Sequence, residues 1–164
     1  VIQDTVMQGR FQQTVNRIFS AALIAGGITG VVMAAGWAFR LAQQHSPGAL
    51  FFGLFCCTYA WATFVGIRLW QGTALGVRWA TILFVSQIPV IALPNFRYEW
   101  FTGGYLGTSL RFADHATGMV FGVDLGANFQ FFLGGNSSEI VVGANLFALV
   151  ALILLLRANR PVSA

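Results

Sequence analysis

The chain has 164 residues, of which 57% are hydrophobic and 9% charged, with a formal net charge of +4. A soluble domain carries about 25% charged residues, so there are too few charges here to cover the surface of a water-soluble globule. All nine cationic side chains are arginines, scattered singly, which excludes the basic patch or basic helix of a nucleic-acid-binding protein.

Residues 4–19 read as an interfacial helix. Met7, Phe11, Val15 and Ile18 recur on one helical face and Gln8, Gln12, Gln13 and Asn16 fill the rest, with Asp4 or Thr5 as cap. The first apolar run starts too late and is too long for the apolar core of a signal peptide. It predicts a transmembrane helix over 18–40, which carries Ala22, Gly26, Gly30 and Ala34 at four-residue spacing. Small residues in that register let two helix backbones approach closely. Trp37 and Arg40 mark its far interface.

Ser46-Pro47-Gly48 signals a turn, and a second transmembrane helix is predicted over 49–69, ending at Arg68 and Trp70. Cys56 and Cys57 inside it read as small apolar packing residues. A third span is predicted over 77–94, with Pro89 as a kink and Pro94 as its end. A fourth is predicted over 138–157, with Asn136 and Glu139 as a capping box.

Residues 97–137 differ. They are rich in glycine, aromatics and acids, and from Met119 onward apolar and polar residues alternate at period two, the mark of a half-covered strand. The alternation puts Met119, Phe121, Val123, Leu125, Phe129 and Phe131 on one face, with Gly126 as a bend or bulge. Leu106, Thr108, Leu110 and Phe112 alternate more weakly upstream, so 105–133 is predicted to be a β-hairpin. The expected fold is one integral membrane α-helical domain over 1–164, with about four transmembrane helices and an extramembrane β-hairpin between the third and fourth.

Four spans place both termini on one side. With both inside, Arg10, Arg17, Arg68, Arg78, Arg157 and Arg160 are cytoplasmic, whereas Arg40, Arg97 and Arg111 are outside. Arginine favours the cytoplasmic side, so the expectation is a multi-pass protein with N-in and C-in topology. The lysine-free, Ala- and Gly-rich composition points to a GC-rich bacterial genome, hence to a bacterial inner membrane.

The motifs of chemistry are missing. No Walker loop, dinucleotide-binding glycine pattern, zinc-protease signature or serine-centred motif occurs. His45 with Asp114 and His115 is the best metal candidate, but the two histidines are far apart in sequence and an exposed turn uses Asp and His for its own reasons. No catalytic residue, cofactor or metal site is therefore expected, haem included. Gln87 and Asn145 are the polar residues within predicted spans, expected to bond a neighbouring helix or line a pathway. The expected function is a non-enzymatic membrane subunit that contacts lipids and other membrane subunits or copies of itself, through the small-residue stripe and the β face. The alternative is a homo-oligomeric channel or small-solute transporter with Gln87, Pro89 and Asn145 near its pathway. An enzyme acting on a lipid or quinone has the least support.

Overall fold

The computed structural model describes residues 2–113, 116–133 and 139–160. In chain order the elements are α1 (Ile2–Gln43), α2 (Gly48–Trp70), α3 (Ala74–Gln87), β1 (Pro89–Leu93), β2 (Phe96–Ala113), β3 (Ala116–Leu133), β4 (Ile140–Asn145) and α4 (Leu146–Ala158). The strands form one antiparallel sheet in the order β1-β4-β2-β3, with an additional β1–β2 pairing. This mixed helix and sheet fold overturns the expected four-span architecture. Among the described residues only two helices are long and apolar enough to cross a membrane, Gly9–Gln43 and Gly48–Trp70.

The corrections have local causes. The expected interfacial helix 4–19 and first span 18–40 are one continuous helix, α1, because nothing between them breaks it. The second span coincides with α2. The third, 77–94, is helix only to Gln87. Pro89 lacks the N–H that would continue the helix and, with the β-branched Val90 and Ile91, begins strand β1 instead of kinking a span. The fourth, 138–157, divides in the same way. Ile140-Val141-Val142 favours extended structure and forms β4, and α4 follows. At 14 and 13 residues, α3 and α4 reach only about 21 Å and about 20 Å, short of a hydrocarbon core of about 30 Å. The hairpin is accordingly joined by two further strands. Asn136 of the expected capping box lies outside the described residues, and Glu139 leads into a strand.

α1 and α2 form an antiparallel pair joined by a tight turn in which His45 adopts a left-handed φ of 51°. They approach closely where glycines permit it. A Cβ on Gly27 would meet the backbone of Tyr59 and Thr63 at 2.9 Å, and one on Gly66 would meet Leu23 and Ile24 at 2.8–3.1 Å. Thr73 caps α3 by accepting from Gly76 N at 3.1 Å. α3 then runs back along α2, with Trp79 edge-on to Trp61. α4 returns toward the start of α1, where Asn159 accepts from Gln12 Nε2 at 2.8 Å and donates to Asn16 Oδ1 at 3.2 Å. Phe19 of α1 meets Phe84 of α3 and Phe147 of α4 edge-on. With Leu23, Val65, Leu69, Leu83 and Leu155 they form the buried core.

Candidate functional site: an incomplete sheet beside a helix pair

β2 and β3 are paired along their whole 18-residue length, Phe96 opposite Leu133 through to Ala113 opposite Ala116. The ladder bends where it crosses α1. Gly103 and Gly126, opposite one another, have φ values of 94° and 123°, a region glycine enters without steric cost. Gly26 of α1 lies against this bend: a Cβ on it would come within 2.7 Å of Gly103 Cα and Thr102 C. Beyond the bend, the Tyr105 ring fills the space that side chains on Gly107 and Gly122 would take.

On its second edge β2 is paired in two separate stretches. Residues 96–98 pair with β1, and 107–112 are among those paired with β4. Between them, two side-chain amides take the place of a strand. Gln87 Oε1 accepts from Thr102 N at 3.2 Å. Asn145 Oδ1 accepts from Leu106 N at 3.2 Å, and its Nδ2 donates to Gly104 O at 3.4 Å. Asn145 Oδ1 also caps α4, accepting from Phe147 N at 3.1 Å and Ala148 N at 3.4 Å. Its own N–H donates to Ile88 O at 2.8 Å. The Ser86 carbonyl, freed where α3 ends, accepts from Tyr98 OH at 2.7 Å and Trp100 Nε1 at 3.0 Å. Burial pushes the Tyr98 phenol above its ordinary pKa. It does the same to Tyr105, with the charge of Glu99 adding to it, so both stay protonated at neutral pH.

Gln87 and Asn145 are thus fully buried; both bond the backbone of β2, and Asn145 also caps α4. Of the small-residue stripe, Ala22 and Gly26 meet β2 at Gly103, Gly30 meets the Tyr59 ring of α2, and Ala34 is buried. The stripe packs mostly within the chain, and half of it on a strand.

The six residues of the β3 face separate into two groups. Phe129 lies against Phe55 of α2 with ring centroids 4.1 Å apart, and near Trp100; Phe131 contacts Phe96 edge-on. Met119, Phe121, Val123 and Leu125 are 60%, 70%, 78% and 83% exposed. Their ladder partners Leu110 and Leu106 are exposed too, as are Val142 and Ile140, which β4 places opposite Leu110 and Phe112. Facing residues in a ladder share a face, so three strands present one apolar surface here. The charged groups lie on the opposite face, where Arg111 pairs with Glu139 at 2.7 Å and Asp124 Oδ1 accepts from Leu125 N at 2.7 Å. Among the described residues β3 pairs only with β2, so its outer edge is open.

The metal candidates do not form a described site. His45 is exposed in the α1–α2 turn, Asp114 and His115 lie outside the described residues, and among the described residues no group of three or more His, Cys, Asp or Glu side chains is placed to hold a metal ion. Cys56 is half-buried with its Sγ 3.9 Å from Val31 O, and Cys57 is exposed. Sequence reasoning did not single out Tyr98, Trp100 or Thr102, nor an aromatic cleft formed by α2 and the near end of the sheet. The one available signal was β-branched residues beside Gln87 and before Asn145, which mark strand junctions. The chain matches no protein family, no curated protein and no solved structure.

Proposed function

We propose that this chain is a non-enzymatic membrane subunit, anchored by α1 and α2, whose far sheet surface docks onto another protein of a membrane assembly. The observation that carries this reading is the coincidence of an open β3 edge with an apolar face on the same strands. In water the face is penalised, since large exposed apolar patches mark interaction sites. In lipid the edge is penalised, because its N–H and C=O groups find no partners in hydrocarbon. A protein that both adds a strand to the edge and packs on the face satisfies both. The anchor is supported by exposure. The spanning windows of α1 and α2 are only 39% and 22% buried, whereas the core helix of a water-soluble protein is mostly covered.

The partner is a second membrane subunit or another copy of this chain. The arginine-rich end, where Arg17 stacks over Trp70 at 5.6 Å and the α4 terminus meets α1, faces the cytoplasm of a bacterial cell in this reading. The bonds of Gln87 and Asn145 to the β2 backbone support a structural role for these two amides over the pathway role of the channel alternative. The test is native mass in mild detergent with identification of co-purifying chains. A stoichiometric partner or defined oligomer is expected, and Phe121→Asp combined with Leu125→Asp should release it from an otherwise folded chain. Release of the native protein from membranes by carbonate would refute the anchor. An oligomer untouched by the double substitution would refute the docking face.

A further inference from the structure

We propose that the aromatic cleft between α2 and the near end of the sheet binds one glycerophospholipid, with an acyl chain inside and the phosphate on Arg97. This rests on the membrane reading above. The cleft has a volume of about 960 Å³, at the upper end of the roughly 300–1,000 Å³ of small-molecule sites. Phe51, Phe52, Phe55, Leu93, Phe129 and Phe131 supply its apolar wall, and Arg97 is the one charged residue among the described residues that line it. A second cavity of about 240 Å³ shares Phe52, Phe55 and Phe129 and continues toward Trp37 and Tyr59.

Its place on the helix pair identifies the occupant. Gly48 and Phe55, both on the wall, are separated by about 10 Å along α2, so the cleft runs down the helix from its first turn. That end of the pair carries Trp37, stacked on Phe52 at 6.2 Å, and Arg40, 5.7 Å from the Trp37 ring. Tryptophan with arginine marks the membrane–water boundary. An apolar slot that descends from that boundary and carries a single cation complements an amphiphile with a long tail and one anionic head. Arg97 is available for it. Its side chain is 52% exposed and its pair with Glu99 is loose at 3.7 Å, while Glu99 Oε1 also accepts from Asn128 Nδ2 at 3.4 Å. A guanidinium grips phosphate oxygens in pairs at closer range.

The test uses the full chain, purified in detergent, delipidated and offered phosphatidylglycerol or diacylglycerol, with retained lipid read by native mass spectrometry. One phosphatidylglycerol per chain should survive activation, and diacylglycerol should not. Arg97→Gln should weaken retention about tenfold, as loss of a charge-assisted hydrogen bond does. Leu54→Trp, at a 62% exposed position on the wall, should fill the slot and abolish retention without unfolding the chain. Arg157→Gln, at the other end of the helix pair, should change nothing. Equal losses from Arg97→Gln and Arg157→Gln would mean annular lipid and overturn the site, as would equal retention of diacylglycerol. A chain that resists carbonate but retains no lipid would overturn the slot and leave the membrane anchor standing, whereas release by carbonate removes the anchor itself.

Discussion

At the near end of the β2–β3 ladder, Trp100 and Phe129 face each other and pack onto α2 and α3, Trp100 only 5% exposed. At the far end, Leu106 and Val123 also face each other, yet they are 46% and 78% exposed. The two ends share one alternation and one ladder, divided by the Gly103–Gly126 bend over Gly26. Helices cover the first, and no described part of the chain covers the second. Period-two patterning records that a face is apolar; whether its cover comes from the same chain is set by where the helices end. The far end therefore presents, uncovered by any described part of the chain, the same alternating apolar pattern that the helices cover at the near end.

The largest expected effect comes from the pivot between the two ends. Gly26→Leu puts a side chain where the β2 backbone already lies, and neither backbone can yield as a flexible side chain would. Overpacking costs about 1–3 kcal/mol where side chains adapt, so the loss here should exceed that range, with thermal unfolding in detergent shifted far down or the protein not recovered. Gly36→Leu, on the same helix with open space around it, should be mild. Comparable behaviour of the two variants would mean that α1 and the ladder do not cross at Gly26.

Substitutions at Phe129 and Val123 set the two ends against each other. Phe129→Asp removes a ring held between Phe55 and Trp100 and should destabilise the isolated chain by about 3 kcal/mol or more. Val123→Asp, six residues along the same strand, should change its unfolding by no more than about 1 kcal/mol, because its side chain is 78% exposed and what it loses is its cross-strand neighbour Leu106. The measurement is unfolding of both variants as isolated monomers in detergent. If Val123→Asp is as damaging as Phe129→Asp, the far end is covered within the chain or inserted in the membrane, and the distinction between the ends fails.

Part of this organisation is legible in the sequence. The alternation over Met119–Phe131 identifies a long strand, and Gly126 identifies its bend, because a strict period of two is incompatible with a helix that gathers one face every 3.6 residues. α2 is equally legible, bounded by Ser46-Pro47-Gly48 and Trp70. The third and fourth apolar runs are not, because hydropathy is blind to conformation: Val90-Ile91 and Ile140-Val141-Val142 are as apolar in a strand as in a helix. The use of Gln87 and Asn145 was out of reach for a different reason. Which backbone groups need an amide depends on where β1 and β4 stop pairing with β2, and that is a property of the whole sheet. The cleft near Arg97 is likewise assembled from three segments far apart in the chain, none of which carries a local motif.

The smallest effect expected sharpens the boundary between the two ends and has the opposite sign. Thr102 is fully buried one residue before the bend, and its Oγ1 and the neighbouring Gln87 Nε2 have no protein hydrogen-bond partner among the described residues. A buried polar group without a partner carries an uncompensated desolvation penalty of about 1–3 kcal/mol. Thr102→Val keeps the shape and β-branching of the side chain and deletes the hydroxyl, while the Thr102 N–H still reaches Gln87 Oε1. The variant should therefore unfold at the same midpoint or a higher one, with a gain on the order of 1 kcal/mol. A lower midpoint would show that the hydroxyl is satisfied by an internal water bridging it to Gln87 Nε2. Gln87→Leu should then lose both that water and the bond to Thr102 N.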